Sequence, residues 1–277
     1  MSASEQSAAL ASWRSWIGRE DACTQLLDVM VLRRFAVAIG DSLDVVHHWP
    51  ALGHWAYFQP ALPMEELGPD GHPRRGGFFP PVTLPRRMFA SAEIQFVKPL
   101  AVNAEATAVS SITDVRGRSG RTGDLVIVDV QRSIEQFGVS CIQERQSIVY
   151  REAGTPIAEI VEEPIVGQSP EPQWCPSPVD LFRFSAATSN SHRIHYDHIY
   201  ATQVEGYPRL VVQGPLIAAR LFAYASSHTQ LPIRRYVFRS VAPCFVWQAI
   251  RFGHGESRAE LRATRCDGVI AMEATAQ

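Results

Sequence analysis

Val211-Val212-Gln213-Gly214-Pro215-Leu216-Ile217-Ala218-Ala219-Arg220-Leu221-Phe222-Ala223 is the stretch of this 277-residue chain from which the rest can be read. Pro215 suits the first turn of a helix, where its missing N–H leaves no bond unmade. The residues after it are helix formers and apolar almost all the way round. Such a helix has no polar face to offer water, so it must be buried, and a curved antiparallel sheet is the economical cover.

The flanking sequence supplies strands for such a sheet twice. Residues 92–96, 104–112, 125–134 and 140–150 alternate apolar and polar side chains, which predicts a meander of antiparallel strands. Residues 236–241, 245–252, 258–264 and 269–275 repeat it, with turns expected at Gly253-His254-Gly255 and Asp267-Gly268. Ahead of each set runs a related segment. Leu32-Arg33-Arg34-Phe35-Ala36-Val37-Ala38-Ile39-Gly40-Asp41 lies over Leu181-Phe182-Arg183-Phe184-Ser185-Ala186-Ala187-Thr188-Ser189-Asn190, with Leu, Arg, Phe and one Ala matching. Phe96-Val97-Lys98-Pro99 likewise lies over Phe238 to Pro243.

Two copies of one module follow from this: an α+β, double hotdog fold, each half an antiparallel sheet wrapped around a central helix. Residues 1–152 are expected to form the N-terminal hotdog and residues 179–277 the C-terminal one. Between them, 153–178 carries prolines at 156, 164, 170, 172, 176 and 178 and reads as an extended linker.

Composition narrows the partners. Lys and Arg total 26 against 28 Asp and Glu, a formal charge of −2 with no long run of one sign, which argues against nucleic acid and against a polybasic membrane surface. The five cysteines are scattered and form no C-x-x-C pair, so neither a disulfide framework nor a zinc knuckle is expected. No stretch reads as a signal peptide or reaches the roughly 20 apolar residues of a membrane span. A soluble, cytoplasmic protein acting on small molecules is the expectation.

The densest polar constellation is Thr188-Ser189-Asn190-Ser191-His192-Arg193-Ile194-His195-Tyr196-Asp197. It resembles the active-site motif of the R-specific enoyl-CoA hydratase (MaoC-like) group, Ser/Thr-Gly-Asp-x-Asn-Pro-aliphatic-His. Thr188 takes the Ser/Thr place, Asn190 the Asp place, Ile194 the aliphatic place and His195 the His place. Glu205-Gly206-Tyr207-Pro208, the stretch 211–216 and Gly68-Pro69-Asp70-Gly71-His72-Pro73-Arg74-Arg75-Gly76-Gly77-Phe78 are similar to the mesaconyl-C4-CoA and itaconyl-CoA hydratase branch, so the resemblance spans the chain. The departures are Asn190 for Asp, Ser189 for Gly, His192-Arg193 for Asn-Pro, and Gln213 where a His is expected. In the narrower branch Asn is usual at the position of Asn190.

The resemblance implies a hydro-lyase that adds water to the double bond of an acyl-CoA thioester, mesaconyl-C4-CoA or itaconyl-CoA giving citramalyl-CoA. His195 would be the base, its ordinary pKa lying near neutrality, and Asn190 would position the water. Gly214 would donate its N–H to the thioester oxygen at the positive end of the buried helix. The C-terminal hotdog would then be the catalytic copy, and the N-terminal one, with Asp41 in the place of Asn190 but Val46 in the place of the His, a non-catalytic copy that shapes the acyl pocket. Arg193, Arg74 and Arg75 are candidates for substrate anions, as is the pair Arg86-Arg87. No metal and no cofactor are expected beyond the CoA thioester that is the substrate. The spacing of His192, His195 and His198 suits a metal poorly, since a strand turns the middle one away and a helix spreads the outer two. Homodimerisation is expected from the fold. The alternatives are a dehydratase of other 3-hydroxyacyl thioesters, a thioesterase, and a non-catalytic acyl-CoA binder. For His195 the bland reading is a structural histidine, and for Asn190 a turn residue.

Overall fold

In the computed structural model, which describes residues 3–120, 123–154, 157 and 172–277, the apolar run forms a helix, α4 (Gly214–Ser227), with Pro215 in its first turn. Leu216, Ala218, Ala219 and Leu221 are completely buried. Burial of each leucine stabilises the fold by about 1.5–3 kcal/mol.

The cover is one ten-stranded antiparallel sheet. The first half of the chain contributes β1 (Glu20–Leu26), β2 (Arg86–Phe96), β3 (Glu105–Gly120), β4 (Gly123–Gln136) and β5 (Val139–Arg151). The second contributes β6 (Gln173–Trp174), β7 (Arg235–Ser240), β8 (Ile250–His254), β9 (Glu260–Arg265) and β10 (Ile270–Ala276). The order is β1-β3-β4-β5-β2-β7-β10-β9-β8-β6, so the halves meet where β2 pairs with β7, from Ser91 opposite Arg239 to Gln95 opposite Arg235. Helix α4 packs on β2, β7, β8, β9 and β10. The double hotdog is therefore one continuous curved sheet.

The two related segments are both helices, α2 (Val29–Ile39) and α3 (Pro178–Ala187), and they pack on each other with Phe35 and Phe184 ring centroids 5.9 Å apart. Each is capped by its own chemistry. Asp28 Oδ1 accepts from the N–H groups of Met30 and Val31, while Ser177 and Asp180 form a reciprocal capping box ahead of Pro178. Such caps satisfy donors that the first helical turn leaves open.

The structure departs from the sequence reading in four places. A helix, α1 (Ala3–Arg14), and the edge strand β1 were not anticipated. Strand β8 begins at Ile250, because Phe245 to Gln248 turn instead, with Trp247 in the left-handed region at φ 67°. Most of the expected linker lies outside the described residues, but its C-terminal end belongs to the fold: Gln173 and Trp174 pair with β8, and Trp174 carries the Arg220 guanidinium 4.1 Å from its ring centroid. Finally, among the described residues the N-terminal half has no counterpart of α4's length. Between α2 and β2 stand only the 3-10 turns Gly53–Ala56 and Met64–Glu66.

The first of those turns is held by a buried carboxylate. Glu144 of β5 accepts from Trp55 Nε1 at 3.0 Å and faces His54 Nε2 at 3.2 Å, with both partners of the ion pair wholly enclosed. Burial alone would raise the Glu144 pKa, but His54 overrides it and holds the carboxyl below its ordinary value.

Candidate active site

Helix α3 ends in the same way as α2, and this ending aims the segment 190–195. The Asn190 N–H donates back to Ser185 O at 2.9 Å, as Asp41 does to Ala36 O at 2.8 Å. Ser189, at φ 50°, stands where Gly40 stands at φ 75°. This is a left-handed helix stop, with the carbonyls of the last turn satisfied. Asn190 Oδ1 then accepts the His192 N–H at 3.1 Å, and Arg193–His195 form a 3-10 turn. With its oxygen so tied, Asn190 has its two NH2 donors left to offer.

His195 is buried, and its Nδ1 lies 2.7 Å from Val211 O. A carbonyl can only accept, so the ring proton is on Nδ1 and Nε2 is the bare, proton-accepting atom. Burial pulls the His195 pKa down to about 4, against the Val211 carbonyl, so the ring is neutral across ordinary pH. Val211 is held in turn by its N–H to Ile194 O at 3.0 Å. Two residues on, Gln213 Nε2 donates to Leu181 O and Ser185 Oγ, both at 2.9 Å, and so ties the start of α4 to α3. The residue that departs from the expected His is thus a structural anchor. Pro215 has no N–H, and those of Leu216 and Ile217 both go to Gln213 O. Gly214 therefore offers the free N–H of this turn among the described residues. A Cβ at 214 would lie 3.1 Å from Ser240 Oγ, so a larger residue presses on the same spot.

The loop 68–72 of the N-terminal half completes the site. The Arg193 N–H donates to Asp70 O at 2.9 Å, Arg193 Nη1 donates to Pro69 O at 3.0 Å, and Ser191 Oγ donates to Gly71 O. Contact is so close that a Cβ on Gly71 would sit 1.9 Å from Ser191 O, and Gly71 is also at φ +87°, so only glycine fits. The clamp delivers Asp70 and His72. Asp70 Oδ2 lies 3.0 Å from His72 Nδ1, the His72 ring centroid lies 4.0 Å from that of His192, and His192 meets His195 edge-on at 5.3 Å. Asp70, His72 and His192 bring polar atoms within 4.8 Å of one another, with Asp70 and His72 already hydrogen-bonded as a pair.

The charges follow from that packing. Burial opposes ionisation of Asp70, but the His72 imidazole outweighs it and keeps the carboxyl well below its ordinary range. His72 is lowered by burial and by Arg87, against Asp70. His192 is lowered strongly by burial, then by its neighbours His72 and His195. Asp70 and His72 thus bring residues of the first half against His192 and the segment that follows α3.

The family model for hydroxyacyl-thioester dehydratase type 2 matches residues 48–246, which span the loop, the helix end and the catalytic segment just described. The chain belongs to this family. It is 43% identical over 279 aligned residues, 96% of this chain and 98% of the other, to a mesaconyl-C(4)-CoA hydratase of Chloroflexus aurantiacus. The fold matches that of a MaoC-like dehydratase from Phytophthora capsici with a TM-score of 0.66 at 15% identity, over 97% of each chain. It also matches a double-hotdog protein of Mycobacterium tuberculosis with a TM-score of 0.55 at 12% identity, over 94% of this chain and 96% of that one.

Of the three arginines expected to bind substrate, Arg193 and Arg75 have their guanidinium groups engaged within the protein, while Arg74 is exposed and bonded through Nε. Arg193 gives Nη2 and Nε to Asp197 Oδ2 at 2.7 and 3.1 Å and lies 4.2 Å from the Tyr200 ring centroid, besides clamping Pro69. Arg75 is spent on the carbonyls of Val82, Leu84 and Pro85, and Arg74 Nε donates to Glu65 O at 2.7 Å. A sequence shows an arginine but not which carbonyls surround it, and here they hold loops. Arg86 pairs with Glu205 at 3.0 Å. Arg87 of β2 is the cation whose field reaches Asp70, His72 and His192. His198 is exposed and stands with Trp247 and Arg209 around a separate cleft.

Proposed function

We propose that this chain hydrates the double bond of a C5 dicarboxylic CoA thioester, mesaconyl-C4-CoA first and itaconyl-CoA second, to citramalyl-CoA, and catalyses the reverse dehydration. One observation carries the reading. A neutral His195 with a bare Nε2 is anchored beside the start of α4, in a chain 43% identical over nearly its whole length to a mesaconyl-C(4)-CoA hydratase.

The chemistry follows from the geometry. On mesaconyl-C4-CoA, whose double bond is conjugated with the thioester, His195 Nε2 takes a proton from water while the oxygen bonds to the β-carbon and the double-bond pair moves onto the thioester carbonyl. The Gly214 N–H and the Asn190 amide are the donors for the oxygen that gains charge and for the attacking water. A proton then reaches the α-carbon. Water adds and nothing is oxidised, so no cofactor beyond the substrate's CoA belongs to the proposal. Arg87, whose field reaches Asp70, His72 and His192, joins Arg193, Arg74 and Arg75 among the candidates for the cation that meets the acyl carboxylate. A homodimer working in the cytoplasm is part of the same proposal; among the described residues no helix is long and apolar enough to cross a membrane. Dehydration of other 3-hydroxyacyl thioesters is the second reading, favoured by the family model.

The test is purified protein with mesaconyl-C4-CoA, itaconyl-CoA and crotonyl-CoA, following the hydrated CoA product by mass and free thiol together. Hydration without thiol release, fastest on the C5 dicarboxylic pair, supports the proposal. Preference for crotonyl-CoA favours the second reading. Thiol release means a thioesterase, and binding without turnover means a non-catalytic acyl-CoA binder.

A further inference from the structure

We infer that the Asp70–His72 pair, lent by the N-terminal half, is the second acid/base group of the active site and supplies the α-carbon proton. The inference rests on the hydratase reading above.

Hydration moves two protons, one off water and one onto carbon. His195 accounts for the first. The family pattern offers a carboxyl at position 190 for the second, and Asn190 cannot exchange a proton. Its Oδ1 is in any case committed to the His192 N–H. Within the same cluster stands an imidazole with the partner that His195 lacks. Asp70 Oδ2 receives His72 Nδ1–H at 3.0 Å, and Asp70 Oδ1 receives the His72 backbone N–H at the same distance, so the carboxylate is fixed and the ring is oriented. A carboxylate so placed stabilises the imidazolium, and Nε2 becomes the atom that gains and gives the proton.

The pair is built into the site. Gly71 admits no side chain against Ser191, and the loop is bonded to residues 191 and 193. The His72 side chain keeps 23% of its surface open, while His192 behind it is almost closed. The charged and titratable groups that face His72 are Asp70 on its own loop, His192 and His195 from the catalytic segment, and Arg87 and Arg75. Burial and the two arginines favour loss of the His72 proton and Asp70 opposes them, so His72 gives up readily a proton that it has taken. In the step, the enolate pair returns to the α-carbon and forms the C–H bond as the N–H bond of protonated His72 breaks. His195 releases to solvent the proton it took from water, and His72 takes one up. The net change is the addition of one water.

The experiment compares wild type, His72→Ala, His72→Gln and Asp70→Asn on mesaconyl-C4-CoA, with thermal melting to show that each variant is folded. The expected result is a kcat lower by about 10²–10⁴-fold in both His72 variants, with KM changed little, and by about tenfold or more in Asp70→Asn. Added imidazole should restore His72→Ala in proportion to its imidazolium fraction. A folded His72→Gln with full kcat, rescue that follows neutral imidazole, or activity that depends on an added divalent ion and is lost to a chelator overturns the inference. Should His72→Ala fail to fold, His72→Gln and Asp70→Asn decide. A wild type that hydrates none of the thioesters sinks the hydratase reading instead.

Discussion

The centres of the two halves solve one packing problem in different ways. In the C-terminal half a 14-residue apolar helix fills the sheet, and its first residue, Gly214, belongs to the candidate site. In the N-terminal half a four-residue 3-10 turn occupies the place before β2, and a buried Glu144 bonded to His54 and Trp55 holds it. The long helix presents the Gly214 N–H to the candidate site, whereas the short turn is fixed through the His54 and Trp55 side chains on Glu144. The lesson is a division of labour: the first half gives up the helix end that chemistry uses and contributes instead a loop, 68–72, that reaches across to the second half's histidines.

Breaking each centre tests this division. His195→Ala should lower kcat by about 10²–10⁴-fold while the melting temperature and thioester affinity stay near wild type. Glu144→Ala should do the reverse. It leaves His54 and Trp55 without their partner in a closed site and should cost about 3–5 kcal/mol of stability in denaturant titrations, with kcat per folded molecule unchanged. If Glu144→Ala lost turnover while folded, the first half would be more than scaffold and loop.

The equivalent helix ends give a finer comparison. Asp41 accepts from the N–H groups of Ser42 and Ala51, whereas Asn190 accepts from His192 and faces the site. Asn190→Ala should cost about tenfold in kcat, the worth of one hydrogen bond in the transition state. Asp41→Ala should cost about 1 kcal/mol of stability and no activity, as judged by melting and initial rates.

Acid sharpens the contrast with a smaller effect. His192 and His195 are buried neutral, below their ordinary value of 6.5. Between that value and the lowered ones the unfolded chain binds protons the fold refuses, so stability falls as pH drops below about 6.5. Glu144 is also lowered, from an ordinary 4.5, so its contribution holds above that value and is lost only at lower pH. Melting between pH 7 and 5 should therefore show a decline that His192→Gln reduces and Glu144→Gln leaves alone.

Much of this was legible in the sequence, for identifiable reasons. Strands β3, β4, β5, β7, β9 and β10 are half-buried and alternate, and α4 is apolar all round, so periodicity reveals them. Strand β1 is mostly exposed at the sheet edge and α1 has little amphipathic contrast, so neither leaves a pattern. His195, Asn190 and Gly214 lie close together in sequence, in a motif. Asp70 and His72 are more than a hundred residues away and join them only through the fold. Their signal was present in the stretch 68–78, where the glycine between them marks a close approach. Charge in a sequence announces a cation but not its partners, such as the carbonyls that Arg75 meets and the Asp197 carboxylate that Arg193 meets.

The most direct measurement is mass analysis of the products formed from mesaconyl-C4-CoA in water enriched in oxygen-18. The account predicts one heavy oxygen gained on carbon with the CoA thioester intact. Heavy oxygen in a free carboxylic acid, with an equal amount of free CoA, would contradict it.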